Sequence, residues 1–205
     1  MKTLVIDSAT EACSVALFDG NALVAGELRL LGRGHAEQLV PMIAALPDRG
    51  RADRICVSLG PGSFTGVRIG LAAARALGLA WRVEVLGYPT LALVAAMARS
   101  ELPGPVSVCM SGGHGEWFVQ DFAPDGSPED ALRSLPPAQV VAAHATVAGT
   151  QAEALVAASG RGTALPLSPD ARRFGLLPET LLTRDLAPLY GRAPDARLPL
   201  GTAQA

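Results

Sequence analysis

The sequence predicts an α/β fold: a three-stranded antiparallel meander, then strands and helices in alternation, then a second and smaller region. Three observations predict it. Asp19-Gly20-Asn21 is a strong hairpin signal between two apolar runs near the start. Beyond residue 35, apolar residues recur at helical spacing between short strand-like runs. Hydrophobic residues make up 49% and charged residues 18% of the 205, so a substantial core is expected rather than disorder.

Residues 3–6 read as a short buried strand, 14–18 as the second and 22–30 as the third. Gly32 and Gly34 then break the chain. A helix follows over 36–46, with Leu39, Met42, Ile43 and Leu46 at i, i+3, i+4 and i+7. Pro47-Asp48-Arg49-Gly50 stops it. Residues 55–59 form a fourth strand, 67–81 a second helix and 83–86 a fifth strand. Pro89-Thr90 opens a third helix that ends near Ser100. Glu101-Leu102-Pro103-Gly104-Pro105 marks a lobe boundary, dividing 1–102 from 103–205. Past it, strands at 106–110 and 116–122 flank Ser111-Gly112-Gly113-His114-Gly115. The stretch 124–164 is weakly patterned, and a helix is expected over 169–182. The tail after Pro194, rich in Pro, Gly and Ala, is expected to fray. No internal repeat is visible.

The most informative segment is Gly60-Pro61-Gly62-Ser63-Phe64-Thr65-Gly66, a glycine-rich turn between a strand and a helix start. Such a loop serves as a tight structural turn, as a phosphate or ligand contact at a helix N-terminus, or as a partner surface. It is not a Walker loop, because Val67-Arg68 stands where Lys-Ser/Thr is required. It is not a Rossmann turn either, because the sixth position is Thr65. In the helix behind it, Gly66, Gly70, Ala74 and Gly78 recur every four residues as a strip of small side chains. Interior glycines cost roughly 0.5–1 kcal/mol each relative to alanine, so close approach of another backbone must offset them. That neighbour is this chain's own sheet or a helix of another chain. Arg68, Arg75 and Arg82 form the only charged stripe on this helix, a solvated edge or a nucleic-acid contact.

Other chemistries are poorly supported. A net charge of −2 argues against unaided nucleic-acid binding. Cys13, Cys56 and Cys109 are far apart in apolar runs and read as buried small side chains. His35, His114 and His144 share no metal-ligand spacing. Asp7 and Glu11 are either a phosphate-proximal pair or carboxylates that bond the turn itself. An acid at position 7 is too early for a signal peptide, and no apolar run reaches the roughly 20 residues of a membrane span. A soluble, reducing, cytoplasmic setting is expected.

Three motifs carry a family resemblance. Ile6-Asp7-Ser8-Ala9-Thr10-Glu11-Ala12-Cys13-Ser14-Val15-Ala16-Leu17 resembles the first hairpin of the TsaB (YeaZ) family. His35-Ala36-Glu37-Gln38-Leu39-Val40-Pro41-Met42-Ile43 resembles its first helix, and residues 60–70 resemble its most specific motif. The resemblance implies an actin-like, Hsp70-like (ASKHA, ribonuclease H-like) fold of two lobes, with a mixed five-stranded sheet and helices in the first. The last segment would pack back on that first lobe. It implies a non-catalytic subunit of the complex that transfers a threonylcarbamoyl group to adenosine in the anticodon loop of tRNA. The partners would be the homologous catalytic subunit TsaD and the ATPase TsaE. The chain alone would form a homodimer, tRNA would be reached only through the complex, and no membrane would be involved. No cofactor is expected here, with ATP and metal on the partner subunits.

The catalytic relative holds its metal through a His-x-x-x-His pair, and the matching place here reads Gly87-Tyr88-Pro89-Thr90-Leu91-Ala92. No catalytic or metal-ligating residue is therefore assigned. The family pairs through its first two helices, which assigns partner binding to His35, Leu39, Met42, Ile43, Leu46, Phe64, Val67, Gly70, Leu71, Ala74 and Gly78. Asp7, Thr10, Ser63 and Thr65 are the candidates for a phosphate-proximal role. The alternative within the same fold class is an enzyme, an ATPase or a glycoprotease-like hydrolase.

Overall fold

A computed structural model of the chain describes residues 1–191. The chain order is β1 (Lys2–Asp7), β2 (Ala12–Asp19), β3 (Ala22–Leu30), α1 (His35–Ala45), β4 (Arg54–Ser58), α2 (Phe64–Trp81), β5 (Glu84–Tyr88) and α3 (Thr90–Glu101). It continues as β6 (Val106–Ser111), β7 (Trp117–Phe122), β8 (Arg133–Leu135), β9 (Thr146–Ala148), α4 (Ala152–Ser159) and β10 (Thr163–Leu165). The strands form two five-stranded sheets, ordered β3-β2-β1-β4-β5 and β10-β9-β6-β7-β8.

The two sheets share one topology. In the first, β1, β2 and β3 are antiparallel, and β4 and β5 run parallel to β1. In the second, β6, β7 and β8 are antiparallel, and β9 and β10 run parallel to β6. This is the ribonuclease H-like arrangement written twice, the layout of the actin-like fold. The repeat is invisible in the sequence because the second copy is abbreviated. Its outer strands shrink to three residues, and a 3-10 turn (Pro137–Gln139) stands where the first copy has α1.

Apolar packing follows the layers. Helix α3 lies between the sheets, with Leu91 through Ala98 all buried. That explains its all-round Ala, Leu and Val composition, since no face meets water. Helices α1 and α2 cover the far face of the first sheet over Leu4, Ile6, Val15, Leu17, Ile55 and Val57. Helix α4 covers the far face of the second over Cys109, Val119 and Val147. Cys13, Cys56 and Cys109 are free and buried.

Two expectations are corrected. The helix expected over 169–182 is instead two 3-10 turns, Ala171–Leu176 and Glu179–Leu181. Gly175 and Pro178 fall inside the span, and proline cannot donate to a helix ladder. Asp170 stops propagation earlier by taking both the Arg172 N–H (2.9 Å) and its guanidinium. The weakly patterned 124–164 stretch holds β8, β9, α4 and the start of β10. The tail after Pro194 lies outside the described residues.

The first of these turns crosses the first sheet. Ala171 N donates to Ser14 Oγ (2.9 Å), and Phe174 meets the rings of Tyr88 and Phe18 at 5.5 and 6.1 Å. Residues 183–191 then return as a strap beside β5. Gly87 and Thr183 exchange backbone hydrogen bonds of 2.8 and 3.0 Å, and Leu189 N donates to Leu59 O at 2.8 Å.

Candidate functional site

The glycine-rich loop is seated backbone-to-backbone on the turn that follows β1. Ser63 N donates to Ala9 O (2.6 Å), and Ser8 Oγ donates to Gly66 O (2.9 Å). A Cβ on Gly62 would overlap the Ala9 carbonyl, and one on Gly66 the Ser8 carbonyl. Side chains at these two positions would separate the loop from the turn. Ser63 also caps α2, its Oγ accepting from Gly66 N (3.3 Å). The small-residue strip continues the same contact. A Cβ on Gly70 would lie 2.5 Å from Ser8 Oγ, and one on Gly78 would overlap the Val85 side chain. Of the two neighbours the strip allowed, the chain's own sheet is the one present.

This geometry reassigns the expected partner-binding residues. Leu39, Met42, Ile43, Leu46, Val67, Leu71 and Ala74 are core residues under the two helices. Gly70 and Gly78 are buried against the sheet. His35 is buried too, its Nε2 within 2.8 Å of Thr10 O. Of the set, only Phe64 is exposed, at 64%. The residues that α1 and α2 turn to solvent are different ones. They include Ala36, Glu37, Val40, Pro41 and Ala44 on α1, and Arg68, Ala72, Arg75, Ala76, Leu79 and Ala80 on α2. Val40 is 59% and Leu79 83% exposed. The resemblance names the two helices but not their outward sides, and on the largely apolar α2 periodicity alone does not tell the two faces apart. The usable signal was the pairing of glycines with the β-branched runs that need a close neighbour.

Beside this seat lies a cleft of about 1000 Å³ between the ends of the two sheets. Thr10, Ser63, Thr65, Arg68, Ser111, Gly112, His114 and Tyr190 are among its walls. Thr10, Ser63 and Thr65 thus come together at one opening. Asp7 does not join them: it is wholly buried beneath. Its carboxylate accepts from Ala9 N (3.1 Å) and Tyr88 OH (3.1 Å). Burial pushes this carboxyl up from an ordinary 3.8 to about 6, against the pull of those hydrogen bonds. Thr90 is buried as well, with its hydroxyl 2.5 Å from Ser58 Oγ. Among the described residues, no group of His, Cys, Asp and Glu could hold a metal ion.

At the mouth, Phe64 and Tyr190 stack with centroids 6.1 Å apart. The Arg68 guanidinium lies 3.2 Å from the Phe64 centroid and donates to Tyr190 OH (2.7 Å). Gly191 abuts Phe118 of the second sheet, so the strap touches both halves at the cleft.

Residues 29–132 match the family described as TsaD: tRNA N6-adenosine threonylcarbamoyltransferase. The chain is 39% identical over 100 residues to the tRNA threonylcarbamoyladenosine biosynthesis protein TsaB of Escherichia coli, covering 46% of this chain and 43% of that protein. It is 30% identical over 104 residues to the Bacillus subtilis protein of the same name, covering 48% and 45%. It thus spans less than half the length of these curated relatives. The solved structure of YeaZ from Pseudomonas aeruginosa superposes with a TM-score of 0.70 at 28% identity, over 84% of this chain and 87% of that one.

Proposed function

The chain belongs to the TsaB (YeaZ) family, and we propose that it acts in threonylcarbamoyladenosine biosynthesis as the non-catalytic subunit that docks a homologous, TsaD-type catalytic subunit. The observation that carries this reading is the occupied turn after β1. In a nucleotide-processing member of such a fold, that turn must be open to receive phosphate. Here its Ala9 carbonyl and its Ser8 hydroxyl bind the glycine-rich loop, its Ala9 N–H is spent on Asp7, and Ser8 and Ala9 are buried. The loop that resembles a ligand cradle is an internal clasp that sets the angle of α2. Among what α2 and α1 leave outside are the apolar residues Val40, Ala44, Ala72, Ala76 and Leu79. Exposed apolar surface of this kind marks a docking site.

In this reading the partner supplies the metal and the transfer chemistry. A TsaE-type ATPase joins the complex, and tRNA is engaged only there. The protein works in the cytoplasm, and self-pairing through the same face is the state available to it alone. The chain itself divides into lobes 1–102 and 103–205.

Reconstitution tests the function. Purified chain, the TsaD-type and TsaE-type subunits of the same organism, threonylcarbamoyl-adenylate and tRNA are combined with each protein omitted in turn. The expected result is modification only when this chain and the TsaD-type subunit are both present. Modification by this chain alone, with metal supplied, would overturn the proposal and favour the enzyme reading.

A further inference from the structure

The first turn of α2 is weakly held from within. The leading N–H groups of a helix have no partner inside it, and the side-chain cap here is the 3.3 Å contact of Ser63 with Gly66 N. The turn carries no acidic residue to complement the helix dipole. Phe64, its first residue, is exposed. The strap supplies what the helix lacks. Tyr190 stacks on Phe64, and its hydroxyl accepts from the Arg68 guanidinium at 2.7 Å. Leu189 N reaches Leu59 O, at the root of the glycine-rich loop, at 2.8 Å.

Several features deliver the strap to that point. Its base is pinned by the paired backbone bonds of Gly87 and Thr183. Thr183 Oγ1 then accepts from Asp185 N (3.0 Å), and the Asp185 carboxylate accepts from Ala187 N (2.9 Å). Two successive side-chain turns of this kind stiffen the run. Glycines clear the way at its end. A Cβ on Gly60 would lie 3.2 Å from Leu189 O, and one on Gly191 2.5 Å from Phe118 Cδ1. Two helical turns beyond Arg68, Arg75 donates to Leu186 O at 3.1 Å. The strap is thus fastened to α2 at two points and meets the second sheet at its end.

We propose that the strap is a latch and Tyr190 its positioning residue: through Phe64 and Arg68 it fixes the first turn of α2 in the orientation that a TsaD-type subunit receives. The inference rests on the docking reading above and adds to it a residue outside both docking helices. A latched turn has less freedom to lose on pairing. With the latch undone, only the fraction of molecules in the received orientation pairs productively, and association slows by that fraction. Tyr190 and Arg68 are both exposed, so their bond acts on the local order of the turn and little on global stability.

The test combines hydrogen exchange and thermal unfolding of the free chain with association kinetics toward the TsaD-type subunit of the same organism. Tyr190→Phe keeps the ring and removes the acceptor. It should raise exchange at residues 67–69 about fivefold, the size of one lost hydrogen bond, with α3 amides unchanged and Tm within about 2 °C of wild type. In an Arg68→Ala background, Tyr190→Phe should change exchange no further, because the pair is already broken. Tyr190→Ala should slow association about threefold or more and leave dissociation near the wild-type rate. Equal exchange in wild type and Tyr190→Ala would overturn the latch and leave the docking reading standing. Faster exchange with unchanged association would overturn the claim that the partner receives the latched turn. A lowered Tm with faster exchange throughout the chain would make Tyr190 a structural residue and overturn the inference as well. No pairing by the wild type would sink the docking reading and this inference with it.

Discussion

Replacing Gly70 by alanine isolates the contact that seats α2. The added Cβ would lie 2.5 Å from Ser8 Oγ, while its next neighbours, Val57 and Ile6, stand at ordinary distances of 3.5 and 3.7 Å. One atom therefore decides the outcome. Overpacking costs about 1–3 kcal/mol, and the better helix propensity of alanine returns about 1 kcal/mol. Gly70→Ala alone should therefore destabilise by up to about 2 kcal/mol. Ser8→Ala removes the obstructing hydroxyl. In that background the helix gain is left unopposed, and Gly70→Ala should stabilise by about 0.5–1 kcal/mol. The coupling between the two changes is thus about 2 kcal/mol, well above the scatter expected of independent sites. Urea unfolding of the four proteins measures it. Equal effects of Gly70→Ala in both backgrounds would refute the claim that the strip exists to bring α2 onto the Ser8 turn.

Three further outcomes follow from the same geometry. Between pH 4 and pH 6 the unfolded chain has lost the Asp7 proton while the folded chain keeps it, so stability falls as pH rises through that window and stays reduced above it. The gap between 3.8 and about 6, at about 1.4 kcal/mol per pH unit, sets a ceiling of ~3 kcal/mol. Asp7→Asn should therefore raise stability at pH 7 by about 1–3 kcal/mol and flatten the slope between pH 4 and 6, as thermal unfolding across pH would report. Arg133 pairs with Asp121 (2.9 Å) and Asp130 (2.6 Å), and Asp121 is buried with Ser107 Oγ donating to it at 2.5 Å. Arg133→Met leaves that buried carboxylate unpaired and should lower stability by about 2 kcal/mol, a fall in Tm of about 4–8 °C. Leu79→Asp changes a residue that is 83% exposed and should leave Tm within about 2 °C of wild type.

Much of the first sheet was legible because each element carries a local signal. The turn Asp19-Gly20-Asn21 fixes the β2–β3 hairpin, and residues 22–30 form β3 as read. The periodicity of Leu39, Met42 and Ile43 locates α1 and its inward face. The second sheet was harder. Three-residue strands such as β8 and β9 carry no usable period, and their pairing is set by tertiary contact. For the site, Thr10, Ser63 and Thr65 were read as candidates for a phosphate-proximal role, and the three line one cleft. The direction of α2 was not. Gly70 states that something comes close, and only the Ser8 turn beneath it says what. The strap was unreadable for a related reason: Leu186, Leu189 and Tyr190 act through backbone and edge contacts that leave no periodic trace.

The most direct measurement compares the affinity of two variants for the TsaD-type subunit. Leu79→Asp alters the face that α2 shows to solvent, and Gly70→Ala alters the face it buries. Leu79→Asp should weaken pairing by tenfold or more at wild-type Tm, on the order expected for a charge set in an apolar contact. Gly70→Ala should lower Tm while its folded fraction pairs as wild type. The reverse pattern, with Gly70→Ala abolishing pairing and Leu79→Asp sparing it, would contradict the assignment of the outer face to the partner.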